Sequence, residues 1–316
     1  MTRRVVKAEV NLRHAEQVAI DAAEAAGKIL LDGAQYGFTL QQKDLLGDVV
    51  TDLDVAAERA IVDRLRVEFP SHQVIAEEAG VSGADNETWT WFVDPLDGTN
   101  NLAIGLPAFV VGLALCADGR PVVGVVHEPL SQRTWSTVRG DGKVRRSGTE
   151  PQITRSARSS LAPVVAWTQG HSVARNDVVA SALKVVLDSS ARRVLQLWAP
   201  LLGWVMLARG DIDGIIGYQA EAVDLPAGVL LAREAGMVIQ RLDGTEFDDQ
   251  MVDSPASRSF VAARPECIRS LTHLVMSAQR VEADVRRMRL AAEPYGELSV
   301  KPLPNGRSGA SPRLRT

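Results

Sequence analysis

The stretch Trp91-Phe92-Val93-Asp94-Pro95-Leu96-Asp97-Gly98-Thr99 decides how this chain is read. A short apolar run of the kind that forms a buried strand leads directly into two aspartates three residues apart. Carboxylates held so close repel one another unless a positive charge sits between them, and a divalent cation, which prefers hard oxygen ligands, is the obvious one. Gly98 lets the backbone approach an anion, and Thr99 adds a hydroxyl. The competing reading is a simple turn built on Pro and Asp-Gly, but Trp-Phe-Val is too apolar for an ordinary surface hairpin. The pattern suggests metal-assisted hydrolysis of a phosphate ester.

Three more acidic groups lie beside predicted element ends. Thr51-Asp52-Leu53-Asp54 reads as a capping box, with Asp54 supporting the first helical turn, or as part of a site. Glu77-Glu78 follows the predicted strand Gln73–Ala76 and reads either as a solvated pair or as a strand-end site. Asp224 precedes Leu225-Pro226, where Pro suits the first turn of a helix; it can cap that helix or project a carboxylate from its rigid start.

Composition narrows the field. The chain has 316 residues, 46% hydrophobic, with a formal net charge of −4, so it can bury a large core and is not a general nucleic-acid binder. Cys116 and Cys267 give no disulfide framework and have no CxxC or His partner. The longest apolar run, Ala108 to Ala117, is about half of a membrane span. Arg3, Arg4 and Lys7 have no apolar segment behind them, so a secretory signal is not expected. The expected setting is cytoplasmic, with no membrane partner. The five histidines lack metal-ligand spacing and read as structural or surface groups.

Residues 1–9 read as a flexible terminus, and 10–150 as an N-terminal α+β part with most of the acids. In it, helices are expected over 10–31 and 51–69, and an antiparallel meander after Ala108. Residues 151–282 alternate strand and helix, ending in a helix over 265–281. Residues 283–316 read as a basic, disordered tail.

In order and spacing, the strings Val50–Asp54, Ile75–Glu78, Trp91–Thr99 and Val223–Gly236 resemble the inositol monophosphatase family of Mg²⁺-dependent, lithium-sensitive phosphomonoesterases. The resemblance spans about residues 10 to 280. It implies an α/β (α+β) fold, a layered αβαβα sandwich like that of fructose-1,6-bisphosphatase, and a homodimer. It implies two or three Mg²⁺ ions on Glu77, Asp94, Asp97, Asp224 and the Leu96 carbonyl, with Asp94 bridging two of them. Thr99 and Asp54 match the pair that orients and deprotonates the attacking water, with Glu77 also at the catalytic ion. The Gly98 and Thr99 N–H groups would grip the phosphate; Asp97, Trp198, Ala199 and Asp224 would face the substrate. Lys43 and Glu78 are possible accessories, Lys43 having a solvated role as its alternative.

The chain departs from the family in several places. Val223 stands where a tryptophan is common, and Gly217 stands where a glutamate binds inositol hydroxyls. Trp198 and Pro200 reshape the substrate wall. The leading substrate is inositol monophosphate. Histidinol phosphate, a sugar phosphate, an aminocyclitol phosphate and, lower, a 3′-phosphoadenosine nucleotide are the enzyme alternatives. A phosphate-ligand-binding regulator without turnover is the rival class.

Overall fold

The computed structural model describes residues 10–43, 49–83, 88–148, 162–251 and 254–292. Helix α1 (Leu12–Tyr36) starts behind Asn11, whose side chain accepts from the Arg13 and His14 amides. Its apolar residues at helical spacing, Val18, Ala22, Ala26 and Leu30, are buried. A two-stranded antiparallel ribbon follows, β1 (Leu40–Gln42) and β2 (Val49–Thr51), then α2 (Asp52–Glu68).

The large sheet comes next: β3 (Gln73–Ala76), β4 (Gly80–Gly83) and β5 (Trp89–Asp97), the short helix α3 (Thr99–Ala103), then β6 (Val110–Ala117), β7 (Arg120–Glu128), β8 (Arg133–Val138) and β9 (Arg145–Arg146). Its strand order is β4-β3-β5-β6-β7-β8-β9, and only β3 and β5 pair in parallel. The second half supplies β10 (Val164–Gln169), α4 (Val178–Ser190), β11 (Arg193–Leu195), α5 (Pro200–Ala208), β12 (Gly214–Tyr218), α6 (Leu225–Glu234), β13 (Val238–Arg241), a 3-10 turn at Pro255–Arg258, β14 (Phe260–Ala263) and α7 (Pro265–Ala292). These build a five-stranded sheet of order β11-β10-β12-β14-β13.

The layers follow from which faces are apolar. Helices α1 and α2 pack on one face of the large sheet, α5 and α6 lie between the two sheets, and α4 and α7 cover the outer face of the small one. This is the expected αβαβα sandwich. Helix α5 is apolar nearly all round, as a helix covered on both sides must be. On it, Trp204 stacks against Phe260 at 4.9 Å between ring centroids. Two glycines make room for that stack. A Cβ on Gly228 of α6 would lie 2.2 Å from the Trp204 ring, and one on Gly217 of β12 would lie 2.3 Å from Phe260 Cε1.

The expected meander is β6–β8, extended by β9. The short elements β4, β9 and α3 were not expected. Helix α7 runs to Ala292, so the basic tail cannot begin at residue 283 as the sequence implied; charged residues such as Arg286 and Arg287 continue the helix on its solvent side. Residues 293–316, like 1–9, lie outside the described residues. Among the described residues, no helix is long and apolar enough to cross a membrane.

Candidate active site

The parallel pairing of β3 with β5 puts Ala76 opposite Val93, so both strands deliver acids at the same edge. The Glu77 amide donates to the Val93 carbonyl at 3.2 Å, which sets Glu77 beside Asp94. Pairing of β5 with β6 is interrupted between Asp94 and Asp97. Such an irregularity re-aims side chains, and here Asp94 and Asp97 both serve one cluster. Asp224, at the start of α6, completes it. Asp224 makes no capping bond to its own helix. Its carboxyl instead meets that of Asp94 in a hydrogen bond, so the structure rejects the simple capping role.

Asp94, Asp97 and Asp224 are buried. Burial, then the neighbouring charges of Glu77, Asp97 and Asp224, push the Asp94 carboxyl far above the ordinary range. Asp97 is raised in the same way, by burial first and then by Asp224. Burial and Glu77 lift Asp224 to about 7. Three aspartates raised by burial and by neighbouring negative charge are a site short of positive charge.

Two local sources supply some of it. The Asp97 Oδ2 accepts from the Leu201 amide at 2.7 Å and from Leu202 at 3.3 Å, the start of α5. Lys43 donates to Glu77 Oε1 at 3.0 Å and to Glu78 Oε1 at 2.7 Å, so it bridges the two glutamates rather than standing free in solvent. Burial works against the Lys43 ammonium, but Glu77 and Glu78 outweigh it and hold its pKa above the usual lysine range.

Among the described residues no three acidic, histidine or cysteine side chains already converge on one ion position. The donor set is nevertheless all hard oxygen and all short of cation, which fits a divalent ion such as Mg²⁺ once Glu77 leaves Lys43 and the Asp94–Asp224 contact opens. Lys43→Met should then tighten Mg²⁺ binding by roughly 2–5-fold, the range of a partly exposed ion pair, in a calorimetric titration. Unchanged affinity would mean that Glu77 is not a ligand.

The pH response has a definite sign. A carboxyl raised in the fold above its unfolded value holds its proton more firmly when folded, so the stability it contributes is present at low pH. That contribution is lost as pH rises from about 4 through about 7, on the Asp224 value. Metal-free protein should lose thermal stability between pH 5 and pH 8. Saturating Mg²⁺ should return roughly 5 °C or more at pH 8 and much less at pH 5, as scanning calorimetry would read. A midpoint indifferent to Mg²⁺ at both values would rule out a cation-seeking cluster.

Asp54 lies behind the cluster and is fully buried. Its Oδ2 accepts from the Thr51 amide at 2.8 Å and from the Thr51 hydroxyl, closing a capping box on α2. Its Oδ1 accepts from the Thr99 hydroxyl at 2.9 Å. The same hydroxyl lies 3.0 Å from the Leu96 carbonyl. Burial raises the Asp54 carboxyl from its ordinary range, against the hydrogen bonds from Thr51 and Thr99. The carboxyl that caps α2 thus also accepts from Thr99. Gly98, between Asp97 and Thr99, has φ of +110° and its Cβ would lie 2.8 Å from the Ala108 carbonyl, so only glycine fits this turn.

Some positioning groups escaped the sequence. Glu58, one turn after Asp54, accepts from the Glu78 amide at 2.8 Å and from Ala79 at 2.9 Å, fixing the Glu77 segment. Its spacing of four from Asp54 was the available signal. Asn101 is buried and donates to the Ala108 carbonyl at 2.6 Å and to that of Leu197. That joins the Asp97 turn to the segment carrying Trp198 and Ala199. Trp198 is 60% exposed with φ of +49°, whereas Ala199 is buried ahead of α5. Both line a cavity of about 540 Å³ beside the acids.

Five layers with an acid cluster where β3 and β5 of the large sheet end define an α/β protein with a buried acidic site. The chain belongs to the inositol monophosphatase family, whose profile it matches over residues 11–280. It is 31% identical over 238 residues to inositol monophosphatase 1 of Solanum lycopersicum, covering 73% of this chain and 85% of that one. It is 29% identical over 262 residues to the Nus factor SuhB of Pasteurella multocida, covering 82% and 94%. The solved inositol monophosphatase from Anabaena (Nostoc) sp. PCC 7120 superposes with a TM-score of 0.69 at 26% identity, covering 85% of this chain and 97% of that one.

Proposed function

We propose that the chain is a divalent-cation-dependent phosphatase of small phosphomonoesters that uses water, not a protein side chain, as nucleophile. The observation that carries the reading is the Thr99–Asp54 hydrogen bond of 2.9 Å directly behind the acid cluster. Glu77, Asp94, Asp97, Asp224 and the Leu96 carbonyl would hold two or three Mg²⁺ ions, which when bound supply a water of lowered pKa and a Lewis acid for the departing oxygen.

The chain's own groups do the rest. The Thr99 hydroxyl orients the attacking water and hands its proton to Asp54 Oδ1, while Thr51 fixes the opposite oxygen of that carboxyl. The tight turn at Gly98 lets the Gly98 and Thr99 amides approach phosphate oxygens. The Leu201 and Leu202 amides steady Asp97. Positioning and charge stabilisation then carry most of the rate. Inositol monophosphate is the first substrate to try, because a relative at 31% identity is named an inositol monophosphatase. The reading also takes the chain as a homodimer, as family resemblance implies, acting in the cytoplasm.

Phosphate release from a panel of phosphomonoesters, with Mg²⁺ and with chelator, tests the proposal. Mg²⁺-dependent release supports it. A second reading, a binding protein without turnover, is favoured by the relative named a Nus factor and by the lack, among the described residues, of three such side chains grouped to hold an ion. Saturable ligand binding with no release would establish that reading instead.

A further inference from the structure

Trp198 holds a backbone conformation that its own side chain disfavours. Its φ of +49° lies in the left-handed region, where a bulky residue is strained and persists only if the surroundings fix it. The residue is 60% exposed, so packing of its ring is a weak hold. The segment is instead gripped on both flanks, by two side chains of the stretch that carries the candidate active site. Upstream, Asn101 Nδ2 donates to the Leu197 carbonyl. Downstream, Asp97 Oδ2 accepts from the Leu201 and Leu202 amides at 2.7 and 3.3 Å.

Asn101 is fully buried, and its Nδ2 also donates to the Ala108 carbonyl at 2.6 Å. That carbonyl is the one against which the Gly98 turn rests, 2.8 Å from where a Cβ would stand. One amide group therefore bonds both to the support of the Gly98–Thr99 turn and to the segment that forms the cavity rim, where Leu197, Trp198 and Ala199 lie. Its Oδ1 meets no donor among the described residues, and an unpaired buried carbonyl costs stability. The fit of this side chain thus rests on its two N–H bonds. Asp97 is also a candidate metal ligand, whereas both bonds of Asn101 go to backbone carbonyls and do not compete with an ion.

We propose that Asn101 is a positioning residue that sets the distance between the Gly98–Thr99 turn and Trp198, and so decides how the alcohol portion of a phosphomonoester seats against the rim. The proposal rests on the phosphatase reading for the phosphate end. Asn101→Leu keeps a branched side chain and removes both donors, with Asn101→Ala in its place if the leucine variant does not fold. Trp198→Gly removes the strained side chain and admits the same φ. With Mg²⁺ present, inorganic phosphate probes the turn alone. The ester with the lowest KM among inositol 1-phosphate, histidinol phosphate and fructose 1-phosphate probes turn and rim together. Asn101→Leu should raise the KM of that ester about fivefold or more, the worth of one hydrogen bond. It should lower kcat less than roughly threefold and move the inhibition constant of inorganic phosphate less than about twofold. In a Trp198→Gly background the same substitution should change that KM less than about twofold, because the two residues act as one unit. Equal KM effects in both backgrounds, a loss confined to kcat, or phosphate and ester weakened alike would each overturn the proposal.

A second readout needs no turnover. Hydrogen exchange followed by mass spectrometry should show residues 196–203 exchanging about fivefold faster or more in Asn101→Leu, relative to strand β6 (Val110–Ala117) of the same protein. A general loss of stability would speed both segments. If no ester is hydrolysed but the rim alone exchanges faster, the phosphatase reading falls and the clamp stands. If esters are hydrolysed while KM and rim exchange are both untouched by the substitution, the clamp falls and the phosphatase reading stands.

Discussion

Asp94→Asn is expected to lower Mg²⁺-dependent turnover by at least 100-fold, on the order of 3 kcal/mol in the barrier, while raising the melting temperature of the metal-free protein. Asparagine has the same size and keeps an oxygen that can accept from the Leu96 amide, now 3.0 Å from Asp94 Oδ1. The turn therefore survives. What disappears is one negative charge from a fully desolvated position, where burial and the charges of Glu77, Asp97 and Asp224 all disfavour ionisation. Removing it relieves repulsion in the fold and weakens the hold on a cation. The two effects run in opposite directions, which separates this substitution from ordinary damage. Phosphate-release kinetics and calorimetry on the same preparations check it. Near-normal turnover would sink the role of Asp94, and a lowered metal-free melting temperature would sink the account of mutual repulsion.

The second large effect separates the two roles of Asp54. Asp54→Asn should reduce turnover by about 100-fold, because the amide cannot take the proton that Thr99 passes on. It can still accept from the Thr51 amide, so the melting temperature should move little. Asp54→Ala should lose as much activity and also the capping box, about 1 kcal/mol, or roughly 2–4 °C. If Asp54→Asn keeps its turnover, the residue is a helix cap only, and the proton must leave by another route.

How much of this was legible in the sequence depended on how local the cause was. Helices α1, α2 and α7 announce themselves by long apolar periodicity, and the strands of the meander by alternation between turns. The end of α7 was misplaced because its last turns carry charge but no breaker. The elements β4, β9 and α3 have two to five residues each, too few for any period to register. In the site, the acids themselves stand out because each follows a strand or opens a helix. Their orientations do not. That Asp97 faces the amides of Leu201 and Leu202, or that Lys43 holds Glu77, depends on chain segments far apart in sequence. Thr51 and Asp54 looked like either a cap or a site because their spacing serves both, and only the fold reveals that the capping carboxyl also accepts from Thr99.

The stack of Trp204 on Phe260, seated between Gly228 and Gly217, has a consequence for how specificity can change. A carboxylate introduced at 217 alone would start inside the Phe260 ring, at 2.3 Å from Cε1, and would disrupt the centre of the molecule. Shrinking Phe260 alone would leave a hole beneath Trp204, worth about 3–5 kcal/mol of stability for an alanine. Each step is harmful by itself and tolerable only with the other. A side chain at position 217 therefore requires two coordinated changes, while Arg175 and Trp198, both exposed, can change without disturbing that stack.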